Sequence, residues 1–247
     1  MIELKQVSFT YQGQEHDGLR DIDLTIADGE CVLLCGRSGC GKTTITRLVN
    51  GLIPQFYAGN LTGSVRVDGQ EISSLPMYQI AAKVGSVFQN PRTQFFNVDT
   101  DSEIAFGIEN EARPPRELAE RMIDELEIAT PGVDTPVGRL SGGNVQKVLL
   151  GREIACNPSV LIVAYPVRGL DINSSYRIYD FLNEQKKKGV AVIFIGEDLD
   201  VLMQLSDRIL VMCGGKVSGI VDPRKVTKDE IGLLMIHVEH LDEEVQA

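Results

Sequence analysis

An α/β fold around a mostly parallel sheet is what this 247-residue sequence predicts, and two observations predict it. Short unbroken apolar runs, "CVLLCG" (31–36), "VLIVA" (160–164) and "VAVIFIG" (190–196), have the length of strands buried on both faces. Stretches of helical period separate them, and strands alternating with helices argue for parallel order.

Taken in order, "IELKQVSFTY" and "LRDIDLTIADGE" alternate apolar with polar residues and predict two strands, the second stopped by a turn at Asp28-Gly29. "CVLLCG" is a short buried strand, and "KTTITRLVNGL" is the helix after it. "GSVRVDGQEI" predicts a hairpin about Asp68-Gly69, which places an antiparallel β subdomain near the N-terminus. "AKVGSVFQNP" is a further strand, stopped by Asn90-Pro91. From about 101 to 130 the chain turns acidic and helical in period, broken by Pro114-Pro115, and reads as an inserted helical lobe. A helix over 144–156, the strand "VLIVA", a helix from Ser174 and the strand "VAVIFIG" follow. "DLDVLMQLS" is then a helix, "RILVMCGGKV" a strand, and the tail from residue 236 is expected to fray. The expected division is a core over about 1–90 and 145–235, a lobe over 91–144 and a tail over 236–247, all one domain.

Composition narrows the function. Hydrophobic residues make up 43%, and no apolar run approaches the roughly 18 residues that cross a bilayer. "MIELKQVSFTY" lacks a charged-then-apolar leader, so no export signal is expected. Five cysteines without metal-ligand spacing read as reduced thiols of a cytoplasmic protein. A net charge of −11 argues against a nucleic-acid surface, which demands clustered Lys and Arg. Any polyanion must sit in a local pocket.

"GRSGCGKT" (36–43) supplies one. It matches G-x-x-x-x-G-K-[ST] between a strand and a helix. Gly36, Gly39 and Gly41 let the loop's amides close around phosphates, and the helix N-terminus adds partial positive charge. Arg37, Ser38 and Cys40 complete the loop, and Thr44 follows in the helix. Lys42 reaches terminal phosphates, and the Thr43 hydroxyl suits Mg²⁺. These residues predict a P-loop core that binds a nucleoside triphosphate. "LSGGN" (140–144) is a second glycine-rich turn before a helix. Ser141, Gly142 and Gly143 are suited to hold a phosphate, or Ser141 is a plain N-cap.

Together, the phosphate loop, "LSGGN" about a hundred residues later and the strand after it resemble the nucleotide-binding subunit of an ABC transporter over essentially the whole chain. The resemblance implies head-to-tail pairing with a second ATPase subunit, identical or different, each ATP lying between one subunit's phosphate loop and the other's "LSGGx". It implies an integral membrane transport partner, Mg²⁺ and ATP as cofactors, and a place on the inner face of the cell membrane. By position, Tyr11 matches the aromatic that stacks on adenine, unless it is a strand-edge core tyrosine. Gln89 matches the glutamine that reaches Mg²⁺ and the attacking water. Asp171 in "GLD" matches an aspartate that signals across the dimer, and equally reads as a helix N-cap.

Two family pieces are missing. Ala164 and Tyr165 stand where the strand normally ends in Asp-Glu, and Glu197 replaces a histidine that contacts the γ-phosphate. The three histidines, His16, His237 and His240, lie elsewhere. The expected consequence is impaired hydrolysis in the chain's own site, with Glu197 as a substitute base the alternative. "QNPRTQFFN" and "EIAFGIEN" resemble energy-coupling-factor importer ATPases. "LSGGNVQKVLLGREI", "PVRGLD" and "GEDLDVLMQLSDRILVMCGGKVSGIV" resemble the C-terminal ATPase half of simple-sugar and nucleoside importers. A seam between about 110 and 140 follows, from recombination, divergence or a chimera. Phe95 and Phe96 are expected either at the groove for the membrane subunit or in the lobe core. Cys35 and Cys40 flank the phosphate loop, where oxidation would block ATP.

The readings from other classes fare worse. A subunit that closes on ATP without turnover differs from an importer ATPase only in its rate. Soluble ABC-type ATPases usually carry a long coiled coil or two tandem units, and a P-loop kinase or small GTPase leaves "LSGGN" unexplained.

Overall fold

The computed structural model describes residues 1–14, 18–109, 115–132, 134–167, 170–196 and 199–236. The chain opens with β1 (Ile2–Tyr11), β2 (Gly18–Ile26) and β3 (Cys31–Gly36), then α1 (Lys42–Val49) and the short α2 (Leu52–Gln55). Next come β4 (Gly59–Val67), β5 (Gln70–Glu71), α3 (Met77–Ala81) and β6 (Val84–Val87). Three helices follow, α4 (Thr100–Glu109), α5 (Pro115–Glu125) and α6 (Gly142–Ala155). The last part runs β7 (Val160–Ala164), α7 (Ile172–Lys187), β8 (Ala191–Ile195), α8 (Leu199–Leu205), β9 (Arg208–Cys213), β10 (Lys216–Val221) and α9 (Lys228–Leu234).

Two sheets result. The first is antiparallel, ordered β2-β1-β4-β5, and the second is ordered β10-β9-β3-β8-β7-β6. In the second, β9, β3, β8, β7 and β6 run parallel, and only β10 is antiparallel to its neighbour. The apolar runs read from the sequence are its inner strands, and β8 is buried along its whole length. Because side chains alternate across a strand, each run feeds two cores. Val32, Leu34, Ile162 and Ile193 pack toward the antiparallel sheet with Phe9 and Ile22. Leu33, Leu161, Val163 and Phe194 pack on the opposite face, against Ile178 and Leu182 of α7. A third cluster joins Ile104, Met122 and Leu126 to Val145 and Val148 of α6. Farther along α6, Leu150 and Ile154 belong to the sheet's core, so one helix serves both.

Some expectations need correction. "RILVMCGGKV" is a hairpin rather than one strand, with Gly214 and Gly215 at positive φ between β9 and β10. A Cβ on Gly215 would fall 2.0 Å from the Gly18 carbonyl oxygen, and the Arg20 amide donates to the Gly215 carbonyl. The turn therefore packs directly on β2, which only glycine allows. Helix α6 starts at Gly142, two residues before the expected start, because Ser141 caps it. Of the Pro114-Pro115 pair, Pro115 opens α5, and Pro114 lies outside the described residues, as does the tail from 237.

Phe194, 2% exposed beside Tyr179, is the largest side chain on its face of the sheet. Truncation to alanine should lower unfolding stability by about 3–5 kcal/mol, read as a lower urea midpoint at unchanged m-value.

Candidate functional site

β3 is buried until Gly36, where the chain leaves the sheet. A Cβ on Gly36 would stand 2.4 Å from the Met212 carbonyl oxygen of β9, at φ 143°, so this exit requires glycine. Gly39 and Gly41 follow at φ 82° and 108°. Gly41 caps α1 with no side-chain acceptor, which leaves the first amides of the helix facing outward for an anion. Lys42 folds back over the loop, its Nζ donating to the Gly36 carbonyl at 2.7 Å and the Arg37 carbonyl at 2.9 Å. The ammonium is thus held against two backbone carbonyls of the loop.

A cleft of about 1390 Å³ opens over this loop. The whole loop from Gly36 to Gly41 lines it, together with Lys42, Thr43 and Thr44. Tyr11 approaches from β1 and Gln89 from beyond β6. The structure therefore gathers the predicted phosphate, aromatic and glutamine positions into one concavity. Ala164 and Tyr165 form part of its wall. Tyr165 sits at φ 54°, unusual for an aromatic residue, and its amide donates to the Ile195 carbonyl at 2.7 Å. No carboxylate lines the cleft among the described residues. Glu197 lies outside the described residues.

Around Tyr11 the structure adds two residues that the sequence did not single out. The Tyr11 hydroxyl lies 3.1 Å from Thr44 Oγ1 and accepts from Arg47 at 3.0 Å. The Arg47 guanidinium in turn stacks 4.0 Å over the Tyr57 ring. Arg47 follows Thr43 at i+4 on α1, and that spacing was its sequence signal. Tyr57 lies beyond a turn and had none.

Ser141, Gly142, Gly143 and Asp171 do not line this cleft. They form a second locus. Ser141 caps α6 by accepting from the Asn144 amide, and Asp171 caps α7 by accepting from the Ser174 amide at 2.9 Å and its hydroxyl at 2.7 Å. The Ser174 side-chain and backbone hydrogen bonds hold the Asp171 carboxyl below the usual carboxylate range. A Cβ on Gly143 would come within 3.2 Å of Leu170 and 3.9 Å of the Ser174 hydroxyl, so the two caps are neighbours. The N-cap readings therefore hold for both residues. Asn144 also clasps the Ala129 backbone through both its amide atoms, at 3.1 Å each.

A glycine-rich loop around a lysine, a separate "LSGGN" cap and an antiparallel sheet over a parallel one can be compared with known proteins. The sequence matches the ABC transporter family over residues 19–167. This chain belongs to that family. It is an ABC-type ATP-binding domain. A putative ABC transporter ATP-binding protein of Treponema denticola is 40% identical over 225 residues, covering 90% of this chain and 46% of that protein. One from Saccharolobus solfataricus is 32% identical over 234 residues, covering 93% and 43%. The chain thus spans less than half the length of these relatives. CbiO1 of Clostridium perfringens, part of the CbiONQ ABC transporter complex, superposes with a TM-score of 0.80 at 24% identity, over 97% of this chain and 95% of its own. The ADP- and Pi-bound dimer of the cassette MJ0796 gives 0.79 at 23%, over 92% and 100%. These likenesses show the fold. ABC ATPase domains dimerise and pair with membrane subunits, and the family implies nucleotide binding, usually with Mg²⁺. Among the described residues no helix is long and apolar enough to cross a membrane.

Burial changes the expectation for the thiols. Cys35 and Cys40 of this ABC domain are only 3% and 5% exposed. Burial, opposed by Lys42, pushes the Cys35 thiol up to about 12. It stays protonated near neutrality and is a poor target for oxidants. In native protein at pH 8, iodoacetamide should label half-buried Cys213 while leaving Cys35 unmodified, as read by peptide mass spectrometry.

Proposed function

We propose that this chain is the ATP-binding, energy-coupling subunit of an ABC-type importer whose own site holds Mg-ATP and turns it over poorly. One observation carries the reading: the phosphate loop, Thr43 and Gln89 share a cleft whose β7 corner ends in Ala164 and Tyr165 instead of carboxylates. Lys42 and the loop amides bind the phosphates, and Tyr11 receives the base. Thr43 and Gln89 offer hard oxygen donors, which fit Mg²⁺. Without an acid, no described side chain of the cleft draws a proton from an attacking water. Each lost stabilising group typically costs on the order of 10²–10³ in rate.

Ser141, Gly142, Gly143 and Asp171 lie apart from the chain's own cleft, which suits a role in a partner's site, reached head to tail. A partner ATPase with intact acids would hydrolyse there, against this chain's signature. Phe96, 70% exposed and stacked on Phe106 at 4.9 Å, suits docking of an integral membrane subunit, whereas Phe95 packs into the third cluster. On this reading the protein sits at the inner face of the membrane. The division into a core (1–90 and 145–235) and a helical lobe (91–144) belongs to the same proposal.

A second reading, a nucleotide-gated subunit without any turnover, rests on the same missing acids. A chimeric or recombined ABC ATPase domain is the other alternative.

Purified protein should bind Mg-ATP, and Lys42→Ala should weaken binding at least about ten-fold while leaving steady-state hydrolysis no lower than wild type. Installing both acids (Ala164→Asp with Tyr165→Glu) should raise turnover about 10²-fold. Wild-type turnover that vanishes in Lys42→Ala would show that the site hydrolyses without them.

A further inference from the structure

The backbone leading into Gln89 is held by two side chains, those of Gln94 and Glu153, and one guanidinium bonds the backbone carbonyl of the first residue and the carboxylate of the second. Gln94 brackets the end of β6, its Oε1 accepting from the Phe88 amide at 2.7 Å and its Nε2 donating to the Ser86 carbonyl at 2.9 Å. Glu153 takes the Ser86 amide at 2.9 Å. Arg152 donates to the Gln94 carbonyl at 2.8 Å and, through Nε and NH2, to Glu153 at 3.0 and 2.7 Å. Its countercharge is Glu103, which is fully buried and pairs with NH1 at 2.5 Å. The other Glu103 oxygen accepts from the amides of Phe96 and Asn97.

Arg152 is 5% exposed, and a buried ion pair of this kind contributes little net stability against a well-packed apolar replacement. What it supplies is placement. It ties the strand end before Gln89, the segment that presents Phe96 and the signature helix α6 to a single point. Ser141 caps that same helix about three turns away.

We infer that Arg152 is the positioning residue for Gln89, acting through Gln94 and Glu153, and that Glu103 holds it in place. The inference rests on the proposed function, in which Gln89 faces Mg²⁺ and water. A displaced Gln89 would weaken the Mg²⁺-dependent part of nucleotide binding and spare the part that depends on Lys42 and the loop amides.

The test measures affinity for a fluorescent ATP analogue in Mg²⁺ and in EDTA, for wild type, Arg152→Lys and Gln94→Ala. A lysine at 152 keeps the charge and loses the fork. Both variants should bind about ten-fold more weakly in Mg²⁺ and within about two-fold of wild type in EDTA. Should Arg152→Lys fail to fold, Gln94→Ala decides, since it cuts only the last link. Equal loss in both conditions would mean a purely structural role and overturn the inference, as would no loss. A wild-type protein that binds no Mg-ATP at all would overturn the proposed function, and this inference with it.

Discussion

The constraint on which this molecule depends is that its central sheet is covered on both faces. β3, β7 and β8 are flanked on one side by the antiparallel sheet and on the other by α6 and α7, so their backbone groups pair chiefly along the strand ladder, with each other and with β6 and β9. Polar chemistry is thereby expelled to the strand ends. The C-terminal ends of β3, β6 and β7 are where Gly36, Gln89 and Tyr165 emerge, and the ladder register sets how they meet. The pairing of Ala164 with Ile195 brings Tyr165 into hydrogen-bonding reach of β8 and onto the wall of the cleft.

That geometry makes the replaced acids informative. The strand that would deliver them is intact, buried and in register, so the frame has been kept while the reactive groups have not. Tyr165 adopts a positive φ there, a conformation that costs about 1–3 kcal/mol for most residues and is sustained by the surrounding packing. The phosphate loop and this corner share one cleft, and the corner carries no carboxylate among its described residues.

The second locus follows a different logic. Ser141 and Asp171 are ordinary N-caps by local geometry, and their hydrogen bonds are satisfied within the chain. They are adjacent to each other and neither lines the cleft, which is the arrangement the proposed head-to-tail pairing draws on. The buried Arg152 joins α6, which Ser141 caps, to the segment after β6 and, through Glu153, to the end of β6.

Much of this was legible beforehand. The inner strands, the phosphate loop with its glycines and the "LSGGN" cap are local patterns, and the residue order alone specifies them: unbroken apolar runs, positive φ, side-chain capping. The missing acids were equally plain, because they sit at fixed offsets within a motif. Tertiary structure decided what depends on residues far apart in the chain. Gly214-Gly215 became a hairpin because β2 lies beneath it. Phe95 and Phe96, adjacent in sequence, went to the lobe core and to solvent because consecutive side chains point apart. Cys35 lost its reactivity to burial. Tyr57, Gln94 and Arg152 carried no signal of their own, since such side chains acquire their roles only from the carbonyls, carboxylates and rings that folding brings around them.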